Sequence, residues 1–159
     1  MHASPKGFLD QPYPYHHELV LEIENVTNLG YGIARHDGWV VQVAFVLPGE
    51  RVRVRIFRNH KNYSEADCLE VLHASADRVD PKCELFGVCG GCQYQAVRYE
   101  TQLLWKRQQV EESFSRIGGL EVPVEPVEPS PKTFGYRSKL TPHYGRARDS
   151  EKRKVGFLR

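Results

Sequence analysis

The fold is decided by the stretch RVRVRIFR at residues 51–58, where arginine alternates with valine and isoleucine. Successive side chains of a β-strand point to opposite faces. The pattern therefore predicts a strand that turns its three aliphatic side chains toward a core. Arg51, Arg53 and Arg55 would then share the opposite, outward face.

Four further strands are predicted around this one. The Asp37-Gly38 dipeptide readily adopts positive φ and predicts a tight hairpin turn, and a second turn is expected at residues 47–50. The five predicted strands are residues 17–26, 33–35, 39–46, 51–57 and 64–72. Short strands with such closely spaced turns indicate a small barrel of the oligonucleotide-binding type.

The rest of the chain adds one helix and a proline-rich stretch. Apolar residues at helical spacing predict a helix over 94–117, and Gly118-Gly119 would end it. Four prolines between 123 and 131 favour an extended spacer. The fold class is therefore mainly β with α. The predicted domains are a flexible arm (1–16), the barrel (17–75), a cysteine cluster loop with the helix (76–120), a linker (121–133) and the start of a further β-containing domain (134–159).

Composition excludes several classes of protein. With 40% apolar and 26% charged residues in 159, a disordered chain is not expected. No apolar run approaches the length of a membrane span, and no secretory signal is visible, so we expect a cytoplasmic protein with no membrane contact. Residues 132–159 hold nine basic and two acidic side chains, which indicates a polyanion partner or a solvated charged surface.

The cysteines are too few for a disulfide scaffold, and three of them are clustered. Cys83, Cys89 and Cys92 form a C-x5-C-x2-C run, whose spacing suits an iron–sulfur centre or zinc and, more weakly, a redox pair at the last two. The alternative to all three sites is a loop that carries three free thiols and binds no metal. A fourth ligand would come from Cys68, His73, solvent or sequence beyond residue 159.

The arginine row is followed by the polar and aromatic residues of positions 59–63. Guanidinium groups beside such side chains suit phosphate contact and base stacking. The alternative is a charged outer face that blocks edge pairing. The candidate RNA contacts in this region are Arg35, Arg51, Arg53, Arg55, Arg58, Lys61 and Tyr63. The sequence contains no G-x-S-x-G, P-loop or H-E-x-x-H motif and no G-x-G-x-x-G followed by a helix, and no catalytic residue is assigned.

Several segments together resemble the RNA uracil-5-methyltransferase family. They are GYGIARHDGWVVQV (30–43), LPGERVRVRIFRNHKNYSEADCLEVL (47–72), SADRVDPKC (75–83), CGGCQYQ (89–95), YETQLLWKRQQVEESFSRIG (99–118) and YRSKLTPH (136–143). The resemblance implies that the barrel is a TRAM domain that binds ribosomal or transfer RNA. It also implies that Arg137 and Lys139 belong to a stretch near the catalytic region, and we add them to the candidate RNA contacts.

The same resemblance implies the cofactors. Cys83, Cys89 and Cys92 would ligate a 4Fe–4S cluster, with a fourth cysteine after a strand like Val155-Gly156-Phe157 and beyond this chain. Cys68 would be a core thiol. Full-length members continue into an S-adenosylmethionine-binding domain, where a cysteine adds to carbon 6 of uracil and carbon 5 is methylated. This chain lacks those residues, so we expect it to be inactive alone. We also expect the protein to be a monomer. The alternative is a stand-alone RNA-binding TRAM module with a structural zinc or iron–sulfur site and no catalysis.

Overall fold

The computed structural model describes residues 4–144 and 155–157. The chain divides into two compact units, Met1–Asp80 and Pro81–Arg159. The regular elements are β1 (Glu18–Glu22), β2 (Asn25–Val26), β3 (Tyr31–His36), β4 (Trp39–Ala44), β5 (Arg51–Asn59), β6 (Tyr63–His73), α1 (Tyr99–Arg116), β7 (His143–Tyr144) and β8 (Val155–Gly156). Within the described residues, no helix has the length and hydropathy of a membrane span.

The first unit is built on one curled sheet with the strand order β1-β5-β6-β4-β3-β2. The β4–β6 pair is parallel and the other pairs are antiparallel. The first strand expected from sequence is interrupted after Glu22, so β1 pairs with β5 at one edge and β2 pairs with β3 at the other. Only Ile23 and Glu24 join these edges, which requires the sheet to curl. The predicted mainly β fold with a barrel-like sheet is confirmed.

A close approach at Gly32 accompanies this curl. A Cβ atom at Gly32 would overlap Cγ2 of Val46 and lie 3.0 Å from Cγ2 of Ile23. The Ile23 N–H donates to the Glu50 carbonyl at 2.8 Å, which ties the bend between β1 and β2 to the loop before β5. A glycine is therefore required where the curled sheet packs most tightly on itself.

The core follows the alternation read from the sequence. Val52, Val54 and Ile56 of β5 are fully buried, while Arg51 on the other face is exposed. The Asp37-Gly38 turn has φ angles of 51° and 81°, as a two-residue hairpin with positive φ requires. Both local predictions are confirmed because each depends on neighbouring residues alone.

Residues near the N-terminus contribute to the core as well. Tyr13 lies in the core cluster with only 9% of its surface exposed. Its hydroxyl lies 2.9 Å from Nδ1 of His36, and burial raises the pKa of the phenol. Its carbonyl accepts a hydrogen bond from the Asn59 amide. The stretch predicted as a loose arm is therefore packed against the barrel at Tyr13.

The second unit contains the helix, which begins five residues later than the sequence indicates. A turn at Tyr94–Val97 precedes it, and the Gln102 amide donates to the carbonyls of both turn-end residues. No side chain caps the helix at Arg98, so the chain carries no strong start signal upstream. At the other end Gly119 has a φ of 64°, and the predicted glycine stop is confirmed.

After the helix, residues 117–144 and 155–157 contain little regular structure. The proline-rich stretch lies within the second unit, where the Ser130 N–H donates to the Tyr99 hydroxyl at 2.7 Å. The strand expected over 136–144 is reduced to β7, which pairs with β8. Pro142 offers no N–H donor, which limits pairing before β7. The predicted domain boundaries stay predictions.

Candidate nucleic-acid interface and cysteine loop

The three arginines on the outer face of β5 are all paired with carboxylates. Arg51 lies 3.5 Å from Glu22, and Arg55 lies 3.8 Å from Asp67. Arg53 contacts two carboxylates, Glu18 at 3.0 Å and Glu70 at 3.1 Å, and these hydrogen bonds raise its pKa. The antiparallel register of β5 with β1 and β6 places these acids beside the arginines. The structure places the three arginines on one outer face as predicted, but neighbouring carboxylates neutralise their positive charges.

The remaining candidate RNA contacts of the first unit differ from one another. Arg35 donates to Glu24 at 2.7 Å. Arg58 is 63% exposed and lies 3.7 Å from Glu65. Lys61 is exposed and has no carboxylate partner within 4 Å among residues 4–144 and 155–157. Tyr63 is half-buried and stacks on His60 with 4.3 Å between ring centroids. Unpaired positive charge in this region is thus found at the turn after β5.

Arg137 and Lys139 lie in an exposed stretch of the second unit. Tyr136, beside them, is 68% exposed, and Leu140 is 60% exposed. Neither cation has an ion pair among the described residues. The structure therefore leaves these two candidates open to solvent.

The clustered cysteines lie on a loop with a succession of tight turns. Cys83 and Cys92 are exposed and Cys89 is half-buried. The Cys83 N–H donates to Oε1 of Gln95 at 3.2 Å, which closes the loop near its two ends. The Gly91 N–H donates to Sγ of Cys89 at 3.4 Å. That contact is of the kind expected from glycine N–H groups around a metal thiolate.

An aromatic ring covers one side of this loop. A Cβ atom at Gly91 would lie 3.2 Å from Cδ2 of Phe157 and 3.4 Å from Sγ of Cys89. Phe157 follows directly after β8. The segment that the family resemblance associates with a fourth cysteine is therefore adjacent to the loop that carries the other three.

Thiolates are suitable ligands for either iron–sulfur clusters or zinc. Nevertheless, across the part of the chain that the structure describes, no three Cys, His, Asp or Glu side chains are gathered as a metal site. Cys68 lies on β6 in the other unit and packs against the core, and burial raises its pKa. This agrees with the prediction that Cys68 is a core thiol. Ligand roles for the three loop cysteines remain proposals.

Sequence reasoning missed a buried carboxylate of the first unit that accepts several hydrogen bonds. Glu50, expected only as a turn residue, is fully buried. Arg78 donates to it through Nε at 2.5 Å and through Nη2 at 2.8 Å, and these bonds raise the pKa of the guanidinium. Glu50 also accepts from the Leu47 and Ser75 N–H groups. A glutamate after a Pro-Gly turn carries no local signal of such burial, since its partner lies 28 residues away.

The chain is similar to several known proteins. Residues 18–69 match the TRAM domain family. A protein named uncharacterized RNA methyltransferase from Thermotoga maritima is 39% identical over 140 residues, covering 87% of this chain and 32% of that protein. Relatives of the same name from Nitratidesulfovibrio vulgaris and Thermosynechococcus vestitus are 44% and 42% identical, covering 70% and 80% of this chain and 24% and 29% of those proteins.

A crystal structure of Pyrococcus abyssi tRNA (uracil-54, C5)-methyltransferase in complex with S-adenosyl-L-homocysteine is 31% identical to the chain. The match covers 74% of this chain and 25% of that one, with a TM-score of 0.48. At that score the likeness does not by itself establish a shared fold.

The curled sheet and the family match define the first unit as a TRAM domain. Over most of its length the chain is similar to proteins named RNA methyltransferase, which agrees with the resemblance drawn from its motifs. It spans about a quarter to a third of the length of the curated relatives it matches.

Proposed function

We propose that this chain is the RNA-binding N-terminal portion of an S-adenosylmethionine-dependent RNA uracil-5-methyltransferase. The observation that carries the proposal is the TRAM domain at residues 18–69 within relatives named RNA methyltransferase at 39–44% identity. The choice of carbon 5 of uracil rests on the family resemblance of the segments around Cys89 and Tyr136. The target would be ribosomal or transfer RNA in the cytoplasm, bound by a monomer.

Within this proposal the TRAM domain binds RNA and the rest of the protein performs the methyl transfer. Phosphates are bound by exposed cations, and unpaired bases stack on aromatic rings. The first unit supplies both kinds of group at the end of β5, and the second unit supplies Arg137 and Lys139 on an exposed stretch. All five candidate arginines of the first unit would reach RNA only by giving up carboxylate partners: Arg35, Arg51, Arg53, Arg55 and Arg58.

We also propose that Cys83, Cys89 and Cys92 hold a 4Fe–4S cluster in the complete protein. Support comes from their spacing, from the Gly91 N–H directed at the Cys89 sulfur, and from the Phe157 ring beside the loop. The cluster would order the loop, because its ligands must be gathered from positions that the described residues do not bring together. No step of methyl transfer is assigned to it.

The experiment uses the full-length protein from the complete reading frame, purified without oxygen. It is incubated with S-adenosylmethionine and unmodified ribosomal or transfer RNA, and the digested nucleosides are analysed by mass spectrometry. Formation of 5-methyluridine supports the proposal, and separate reactions with ribosomal and with transfer RNA identify the substrate. Methylation of another nucleoside, or none, contradicts it. The 159-residue chain alone is the matched control, and we expect no methylation from it.

Iron and sulfide content tests the cluster separately. We expect the anaerobically purified full-length protein to be coloured and to contain both elements, and a Cys83→Ser variant to lose them. A colourless protein that contains zinc and no iron would contradict the iron–sulfur assignment while leaving methyl transfer to its own assay.

A further inference from the structure

The outer face of β5 is unsuited to a polyanion. Four carboxylates lie among its three arginines, from Glu18, Glu22, Asp67 and Glu70. The face is therefore slightly negative at neutral pH. Binding of RNA is driven by release of counterions from phosphates when free cations replace them. Arginines that are already neutralised contribute little to this exchange, and the fourth carboxylate opposes it.

The turn at the end of the same strand carries more positive than negative charge: Glu65 lies 3.7 Å from Arg58 and 3.2 Å from His60, while Lys61 has no carboxylate partner within 4 Å among the described residues. We define the hairpin tip as residues 58–63, which join β5 to β6. The His60 N–H donates to the Tyr63 carbonyl at 2.8 Å and closes the turn. The two rings stack with 4.3 Å between centroids and 14° between planes. Lys61 and Asn62 are exposed at the apex, and Arg58 is 63% exposed on its flank.

The base of the hairpin tip is held by a buried polar network. Asn59 and Ser64 flank the turn and are 5% and 0% exposed. The Asn59 amide donates to the carbonyls of Leu9 and Tyr13 at 2.6 Å each, and accepts from the Ser64 hydroxyl at 2.6 Å. Trp39 Nε1 donates in turn to that hydroxyl at 3.0 Å. Because every member is satisfied, the network fixes the turn before any ligand arrives.

We propose that the hairpin tip binds an unpaired base of single-stranded RNA together with its neighbouring phosphates. The outer face of the Tyr63–His60 stack receives the base, Lys61 contacts one phosphate, and Arg58 contacts another after leaving Glu65. Stacking on an aromatic platform beside mobile cations is the usual chemistry of single-strand binding. The inference rests on the proposed RNA-binding function of the TRAM domain and locates it away from the arginine face.

The test measures binding of the whole 159-residue chain to a fluorescent oligouridylate by anisotropy, with a blunt RNA duplex as competitor. We expect Tyr63→Leu to weaken oligouridylate binding about tenfold, since one stacked base contributes that order of affinity. Tyr63→Phe retains the ring and should bind as the parent does. Lys61→Ala should weaken binding and lower the slope of log affinity against log salt by about one.

Arg53→Gln is the matched control on the same strand, and we expect less than a twofold change in affinity. Circular dichroism melting verifies the fold of each variant, and Lys61→Ala lies at an exposed position where the fold does not depend on it. Parent-like binding by both Tyr63→Leu and Lys61→Ala overturns the proposal but leaves RNA binding itself intact. A parent chain that binds no RNA at low salt instead overturns the proposed function and the hairpin-tip site with it.

Discussion

Glu50 and Arg78 form a two-pronged ion pair in the first unit, with Nε donating to Oε1 at 2.5 Å and Nη2 donating to Oε2 at 2.8 Å. Glu50 is fully buried and Arg78 is mostly buried. Arg78 Nη2 also donates to the Phe45 carbonyl at 3.0 Å. Arg78 follows β6, which is the last strand of the six-stranded sheet. The ion pair therefore holds the segment after β6 against the loop before β5.

Removing one partner of this pair should be strongly destabilising. We expect Arg78→Met to lower the free energy of unfolding by about 3–5 kcal/mol, because it leaves a buried carboxylate without its counter-charge. The measurement is urea unfolding followed by Trp39 fluorescence in a Trp105→Phe background. Arg53→Gln, which breaks exposed ion pairs, is the control and should change stability much less. Equal effects of the two substitutions would show that burial of Glu50 is unimportant.

Gly32 should not tolerate a methyl group. We expect Gly32→Ala to destabilise the first unit by about 1–3 kcal/mol, since the new Cβ would overlap Cγ2 of Val46. The same urea titration measures it. Adding Val46→Ala to the variant removes the overlapping atom, so the double variant should lose less than the two single effects combined. Strict additivity of the two substitutions would contradict the packing account of the curl.

Removing the carboxylates that pair with the β5 arginines should increase the RNA affinity of this face. Replacing Glu18 and Glu70 by glutamine frees Arg53 from both of its carboxylate partners. We expect the double variant to bind oligouridylate more tightly than the parent at low salt, and with a steeper salt dependence. The anisotropy titration measures both. An unchanged affinity would mean that carboxylate pairing does not limit RNA binding at this face.

The cysteines should differ in reactivity. Burial raises the pKa of Cys68, whereas Cys83 and Cys92 are exposed. Because the thiolate is the reactive form, maleimide labelling of the metal-free chain at pH 7 should be several-fold slower at Cys68, as read by peptide mass spectrometry. Comparable rates at all three would contradict the packing of Cys68.

The raised pKa of Cys68 also makes the free energy of unfolding depend on pH. The folded state holds the Cys68 proton more tightly than the unfolded chain does, so this stabilising contribution is present at neutral pH. It declines as pH rises above the ordinary thiol range, about 8.5. A Cys68→Ala variant should lack this decline in its urea unfolding at alkaline pH.

The parts of the fold that sequence predicts are those that depend on neighbouring residues. Alternation along residues 51–57 predicts the buried face of β5, and the Asp37-Gly38 pair predicts its hairpin turn. Glu50 and Tyr13 are different, because each is buried by partners far along the chain, at Arg78 and His36. No local pattern contains that information.

In the candidate site too, sequence predicts what depends on neighbouring residues and does not predict what depends on distant ones. Sequence places the arginines of β5 on one outward face, which the structure shows as predicted. It does not show that Arg53 meets Glu18 and Glu70, because these acids lie 35 and 17 residues away and are brought together only by strand pairing. The same pairing leaves Lys61 at the hairpin tip without a carboxylate partner within 4 Å in the described part of the chain. Charge on a strand is readable from sequence, but charge balance between strands is not.

The central claim is tested most directly by release of tritium from carbon 5 of uracil. The full-length protein is incubated with S-adenosylmethionine and RNA that carries tritium at that carbon. Replacement of the hydrogen at carbon 5 by a methyl group must release the label to water, so the account predicts one tritium released for each methyl group incorporated. Methyl incorporation without tritium release would contradict it, because the methyl group would then be on another atom.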